Sequence, residues 1–173
     1  MESRCENCII RQFNSLRALS KEELKKVSNA KISKKIKKGD ALFSEGQKLD
    51  GVYCVRNGVS KLSKLSSNGK EQIVKLTNRG EIMGQRSVIA EDYTNLGATA
   101  INDMEVCFIP KEIITTTLNT NPYFSLEVLR HMAHDLKEAD DVIVNMSQKT
   151  VKQRLAEALL YLRQNYGEDE NGF

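Results

Sequence analysis

Residues 39–76 read GDALFSEGQKLDGVYCVRNGVSKLSKLSSNGKEQIVKL, and the spacing of glycine along this run decides the fold. Gly39, Gly46, Gly51, Gly58 and Gly69 break it into short apolar pieces, ALF, VYCV and QIVKL. Asn57-Gly58 and Asn68-Gly69 are hairpin-turn dipeptides, because asparagine and glycine tolerate the positive φ that such turns demand. Strands this short, turned this often, predict a β-barrel or jelly roll. The pattern runs on through Gly80 and Gly84 to MEVCFI. There Met104, Val106 and Phe108 share one face of a strand, and Glu105, Cys107 and Ile109 share the other.

Helical signals flank this region. Upstream, Ser20 and Glu23 form a capping box that opens SKEELKKVSNA, with Leu24 and Val27 on its apolar face. Downstream, Pro110 ends the last strand and Pro122 suits the first turn of a helix. Leu129, Met132, Leu136, Ala139, Ile143 and Met146 then recur at alternating steps of three and four, which is a heptad a/d seam. A second helix, TVKQRLAEALLYLRQNYG, is expected to turn Val151, Leu155, Leu159 and Leu162 inward and to stop at Gly167. The expected layout is α+β: a helical segment over residues 1–30, an antiparallel β-roll over 31–121, a long helix over 122–147, and a further helix within 148–173.

A chain of 173 residues with net charge +3 has room for one domain and part of another, and its charge does not by itself indicate nucleic acid. No apolar run approaches a transmembrane helix. The start, MESRCENCIIRQF, is polar and carries acids and is no secretory signal, so a cytoplasmic protein without a membrane partner is expected. Four cysteines, Cys5, Cys8, Cys54 and Cys107, are too few and too irregular for a disulfide scaffold.

In this order, the segments KKGDALFSEGQKLDGVYCVRNGVSKL, GKEQIVKLTNRGEIMG, MEVCFIP and TVKQRLAEALLYL resemble the Crp/Fnr family of bacterial transcription regulators. The resemblance covers nearly the whole chain. It implies a cyclic-nucleotide-binding-like sensor roll, a dimerisation helix over 122–147, and a winged helix-turn-helix of which 148–173 hold only the first helix. The chain would then be a sensor and dimerisation part, a homodimer through the seam residues Leu129, Met132, Leu136, Ala139, Ile143 and Met146. Operator DNA and RNA polymerase would be reached only through the missing C-terminal domain of a longer form. The small-molecule effector stays unidentified.

In cyclic-AMP-binding relatives, the resemblance places a phosphate-binding cassette at residues 80–100. An arginine there neutralises the phosphate, a helix N-terminus offers N–H groups, and a glutamate takes the ribose hydroxyl. Here Gly84 keeps the glycine, Gln85 stands for the glutamate, and Thr94-Asn95 stand for the Arg-Ser pair. Arg86 falls on the helix side and not on the strand. The segment reads as a degenerate site over Gly84, Gln85, Arg86, Thr94 and Asn95, with no cyclic AMP affinity expected. The plainer reading is that Gly80 and Gly84 only turn a tight corner.

Cys5-x-x-Cys8 can bring two thiolates to one metal or cluster. The oxygen-sensing branch of the family implies an iron–sulfur cluster on three N-terminal cysteines and a strand cysteine in a Cys-x-Ile-Pro setting. Cys5, Cys8 and Cys107 match, while the third N-terminal position falls on Asn14. Cys54 lies outside the matching places and reads as a small core residue. With three ligands of four, the expectation is no metal and no cofactor. An iron–sulfur or thiol redox-sensing regulator is the alternative.

KISKKIKKG carries five lysines but no aromatic residue for base stacking, and reads as a solvated strand face. His131 and His134 sit on the long helix, with Asp135 and Glu138 as polar neighbours. No Ser-His-Asp set, P-loop or H-E-x-x-H motif supports an enzyme. A stand-alone cupin-like binding protein is the remaining alternative, but both histidines fall outside its barrel.

Overall fold

A computed structural model describes residues 4–167. Three 3-10 turns, Cys5–Asn7, Ile9–Phe13 and Ser15–Ala18, lead into α1 (Lys21–Ala30). Eight strands follow: β1 (Ile32–Ile36), β2 (Ala41–Phe43), β3 (Gly51–Asn57), β4 (Ser60–Leu65), β5 (Glu71–Thr77), β6 (Ile82–Met83), β7 (Gly97–Ala100) and β8 (Met104–Pro110). The short helix α2 (Gln85–Ala90) lies between β6 and β7. Then come α3 (Lys111–Thr120), α4 (Pro122–Gln148) and α5 (Val151–Tyr166). The strands pair antiparallel in two four-stranded sheets, β1-β8-β3-β6 and β2-β7-β4-β5. This is the expected β-roll with N-terminal helical turns and a long C-terminal helix. Residues up to Val128 make one compact unit, and those from Leu129 a second.

Local chemistry explains the helix starts. Both halves of the capping box form at Ser20 and Glu23: Glu23 N–H donates to Ser20 Oγ at 3.2 Å, and Ser20 N–H donates to Glu23 Oε2 at 2.7 Å. Such a cap contributes roughly 1 kcal/mol. Asn121 does two jobs. Its Oδ1 accepts from Phe124 N–H at 3.0 Å, capping α4 ahead of Pro122, and its amide donates to Glu23 Oε2 at 2.9 Å. The two helix starts are thereby tied together. Leu24 and Val27 bury fully, each contributing about 1.5–3 kcal/mol.

The core centres on β3 and β8, the middle strands of their sheet. Val52, Val55, Val106 and Ile109 are buried to within 1% of complete. Tyr53 bridges the two sheets, with its ring centroid 5.8 Å from Phe43 on β2 and 5.2 Å from Phe108 on β8. The alternation read in MEVCFI is present, but both faces are covered. Cys107 and Ile109 are buried as well, because α1 and α3 pack against β8.

Two expectations change. Asn68-Gly69 closes a true hairpin, since β4 and β5 pair. Asn57-Gly58 does not, because β3 and β4 belong to different sheets. That turn is a corner, held by Gly58 at φ 92° where an added Cβ would lie 2.8 Å from Asp103 O. Local sequence encodes the turn's backbone and not the partner of the strand that leaves it. Val151, Leu155, Leu159 and Leu162 of α5 are 42–70% exposed and not turned inward, as no described residue covers them.

Candidate functional site

The cassette segment begins where β6 ends. Gly84 takes φ 84° and caps α2 from the left-handed region, and a Cβ there would stand 2.7 Å from Leu49 Cδ1. Gly80 is equally constrained, at φ 97° and against Phe13. Both glycines thus answer to corner geometry and close packing. Gln85 is half-buried in the first turn of α2, and Arg86 and Asn95 are exposed.

Thr94 is only 5% exposed, and its polar atoms are committed. Its hydroxyl donates to Ser44 O at 2.7 Å and accepts from Gln47 N–H at 3.1 Å. Its own N–H donates to Gln47 O at 2.9 Å, and its carbonyl accepts from Gly46 N–H. This side chain pins the loop after α2 to the β2–β3 turn.

The second constellation lies on the opposite face of the β3–β8 ladder. Cys54 and Cys107 are direct cross-strand partners, both 5% exposed. Side chains so placed share a face, with Cβ atoms about 4.5–5.5 Å apart. The N-terminal turns lie over this face. Asn14 Nδ2 donates to Cys54 Sγ at 3.5 Å and to Gly80 O at 2.8 Å, and its Oδ1 accepts from Leu16 N–H at 3.0 Å. Lys31 Nζ is 3.8 Å from Cys107 Sγ and also bonds the Cys5 thiol. Cys5 is buried, with its N–H donating to Ser28 Oγ at 2.5 Å. One 3-10 turn on, Cys8 is half-buried and borders a cavity of about 360 Å³ shared with Ile10, Arg56 and Arg79.

The electrostatics record the same convergence. Burial, and then the nearness of Cys107, Cys8 and Cys5, push the Cys54 thiol up to about 12. Burial also raises Cys5 above its ordinary value, opposed by Lys31 and Ser28. Among the described residues, no three His, Cys, Asp or Glu side chains are grouped so as to hold a metal ion. His134 instead faces Glu138 at 3.4 Å.

Residues 33–121 match the cyclic nucleotide-binding domain family, which is more than half of the chain. The chain belongs to that family. It is 29% identical to the anaerobic regulatory protein of Aggregatibacter actinomycetemcomitans, over 94% of this chain and 63% of that protein. It is 30% identical to the fumarate and nitrate reduction regulatory protein of Vibrio cholerae, over 91% of this chain and 62% of that protein. Among solved structures, the Thermus thermophilus catabolite activator protein superposes with a TM-score of 0.67 at 25% identity, over 87% of this chain and 71% of that one. The chain therefore spans less than two thirds of the length of the two regulators. These relatives are transcription regulators of the Crp/Fnr type and not enzymes, which agrees with the sequence reading.

Within this family fold, the residues singled out by sequence fall in three places. Gly84, Gln85, Arg86, Thr94 and Asn95 cluster around α2 and the loop after it. Cys5, Cys8 and Cys107 gather under the N-terminal turns. Leu129, Leu136, Ile143 and Met146 lie 52–65% exposed on α4, with Ala139 also exposed and Met132 half-covered. Cys54 is buried, as a core residue should be, but sequence reasoning missed its sulfur neighbours. The signal available was two central-strand motifs, VYCVR and EVCFIP, each with a cysteine in mid-strand.

Proposed function

We propose that the chain is the sensor and dimerisation part of a Crp/Fnr-type transcription regulator, acting in the cytoplasm on a signal other than cyclic AMP. Thr94 carries this reading. A cyclic phosphate needs a cation facing it in a closed site. At the position of that cation stands a buried, neutral side chain whose hydroxyl already serves Ser44 and Gln47. Gln85, in place of the glutamate, brings no charge to a ribose hydroxyl. Arg86 is exposed on α2 and away from the strand.

The exposed a/d stripe of α4 supports the dimerisation half of the proposal. An apolar row spaced at 3.5 residues is the seam of a two-helix contact. Operator DNA and RNA polymerase are proposed partners of a longer form of the protein.

A second reading has its own observation, Cys5 and Cys107 beside Lys31 and Cys54 beside Asn14, with Cys8 at the end of the first 3-10 turn. Thiols are the donor type that an iron–sulfur cluster takes, and such a cluster would supply an oxygen- and redox-responsive group, although the described residues form no group that could hold a metal. Its ligands would be cysteine sulfurs, with Lys31 as the cation beside an anionic core.

Calorimetry with millimolar cyclic AMP tests the first reading. No saturable heat is expected. Micromolar binding would overturn it and would assign the clamp to another cation.

A further inference from the structure

We propose that the cleft between the N-terminal turns and the β3–β8 ladder, flanked by Arg56 and Arg79, is a binding site for a small organic monocarboxylic acid. The proposal deepens the reading of the chain as a sensor for a signal other than cyclic AMP, and rests on that reading only for the use made of the ligand.

Two local features of the chain bring the arginines together. At the end of β3 the register with β8 slips: Val55 pairs with Val106 and Asn57 with Glu105, so Arg56 is an extra residue with no partner across the ladder. Such a bulge re-aims a side chain, and Arg56 here borders the cleft. It faces one acid, Glu105 Oε2 at 3.7 Å, which is an ion-pair distance too long for a hydrogen bond. Arg79 comes from the β5–β6 turn, which is clamped on both sides. Gly80 N–H donates to Val55 O at 2.9 Å, and Gly80 O accepts from Asn14 Nδ2 at 2.8 Å. The acid of that turn is already engaged: Glu81 accepts from Asn78 N–H at 2.5 Å and pairs with Lys75 Nζ at 3.1 Å. Among the described residues, Arg79 has neither a hydrogen bond nor an ion pair. Two guanidiniums therefore border one cleft with donors to spare.

The kind of ligand follows from charge, volume and lining. Two guanidiniums against one carboxylate leave a single positive charge, so one carboxylate neutralises the cleft and a second would go unpaired. A guanidinium meets a carboxylate through parallel N–H donors, a match that an ammonium lacks. The cleft encloses about 360 Å³, room for about ten water-sized groups. A bare phosphate would fill a small part of that volume. The rest of the lining includes Ile9 and Ile10, of which Ile10 is buried and Ile9 is 58% exposed. A short hydrocarbon laid on them would cover Ile9 and add the apolar contact that an exposed ion pair needs to become worth anything. Cys8 is half-buried and borders the same cleft, so a bound acid would cover its thiol.

The test titrates hexanoate into the 173-residue chain, with hexanol and inorganic phosphate as partial mimics. Calorimetry reads affinity, and the rate of iodoacetamide alkylation at Cys8, followed by peptide mass, reads occupancy of the cleft. Wild type should bind hexanoate with a dissociation constant in the millimolar range. Hexanol, without the charge, and phosphate, without the hydrocarbon, should each bind at least about tenfold more weakly. Arg56→Gln and Arg79→Gln should each lose about tenfold in affinity while keeping the far-ultraviolet circular dichroism of wild type. Saturating hexanoate should slow alkylation of Cys8 in wild type and not in Arg79→Gln, and the wild-type half of that comparison stands even if a variant fails to fold. The absence of saturable binding overturns the proposal, as does full affinity in both arginine variants or a Cys8 that hexanoate leaves unprotected. Equal binding of hexanol would reduce the cleft to an apolar groove, and equal binding of phosphate to a bare cationic patch, and either overturns it. A loss on Arg86→Gln instead would place the acid in the cassette segment and overturns it as well. Cyclic AMP calorimetry and light scattering on the same preparations report on the regulator reading separately, so one can fail without the other.

Discussion

Thr94 gives the sharpest test of how the cassette segment is used. Thr94→Val keeps the volume and removes the hydroxyl. Two bonds go, the one to Ser44 O at 2.7 Å and the one from Gln47 N–H at 3.1 Å. A hydrogen bond contributes about 1 kcal/mol net, and an abandoned buried partner costs about 1–3 kcal/mol. Ser44 and Gln47 are exposed residues, so water can take over part of the loss. The expected cost is about 1–2 kcal/mol, toward the lower end of the additive figure. For a chain of this size that lowers the melting temperature by about 3–6 °C. Urea unfolding followed by far-ultraviolet circular dichroism measures it, with an unchanged m-value marking a true stability effect. Thr94→Ser keeps the hydroxyl and should cost under about 1 kcal/mol. A valine variant as stable as wild type, or a serine variant as damaged as valine, would show that the hydroxyl pins nothing. The position would then be free for ligand, and the argument against cyclic AMP would lose its support.

Leu136→Asp on α4 should turn a wild-type dimer into monomers by light scattering at tens of micromolar, because a seam cannot bury an unpaired charge. A monomeric wild type, or a dimeric variant, would remove α4 as the interface. Gly58→Ala should destabilise by about 2–4 kcal/mol, from positive φ together with a Cβ placed 2.8 Å from Asp103 O. Gly69→Ala, at φ 78° with nothing within 4 Å, should cost only about 1 kcal/mol, and equal losses would refute the corner assignment. Burial would raise the Glu23 carboxyl, but hydrogen bonds from Ser20 and Asn121 outweigh it and hold it below its ordinary 4.5. A depressed carboxyl stabilises the fold fully above its unfolded value and loses that contribution as pH falls through the folded one. Thermal melts of wild type should therefore lose more stability than those of Glu23→Gln as pH drops below about 4.5, and parallel profiles would contradict this.

How much of this was legible in the sequence depended on the range of the information. Ser20 and Glu23 declared a helix start because the bonds they make span three residues. Glycine spacing declared short strands for the same reason. Gly58 failed as a hairpin signal because its backbone angle is local, while the choice of sheet for β4 depends on pairing with β7 and β5. Cys54 failed for the same cause. Its meaning lies in register with a residue 53 positions away, 107 − 54, and one cross-strand pairing cannot be counted from spacing.

Asn14 and Thr94 belong together in one physical account. Each stands where the family resemblance would put a reactive group, a thiolate in one case and a guanidinium in the other. Each is instead a neutral side chain, 4–5% exposed, with every polar atom engaged in closing one loop onto another. A thiolate or guanidinium left without its ligand in such a place would be costly, since a buried charge must be paired. The neutral latches remove that cost and let both loops close without any ligand. In the cassette, the Thr94 side chain is committed to Ser44 and Gln47, which is the ground for proposing no cyclic AMP response. For the N-terminal turns a sulfur is present 3.5 Å from the latch, on the strand it closes over. The two substitutions look alike in the sequence and differ in what stands beneath them.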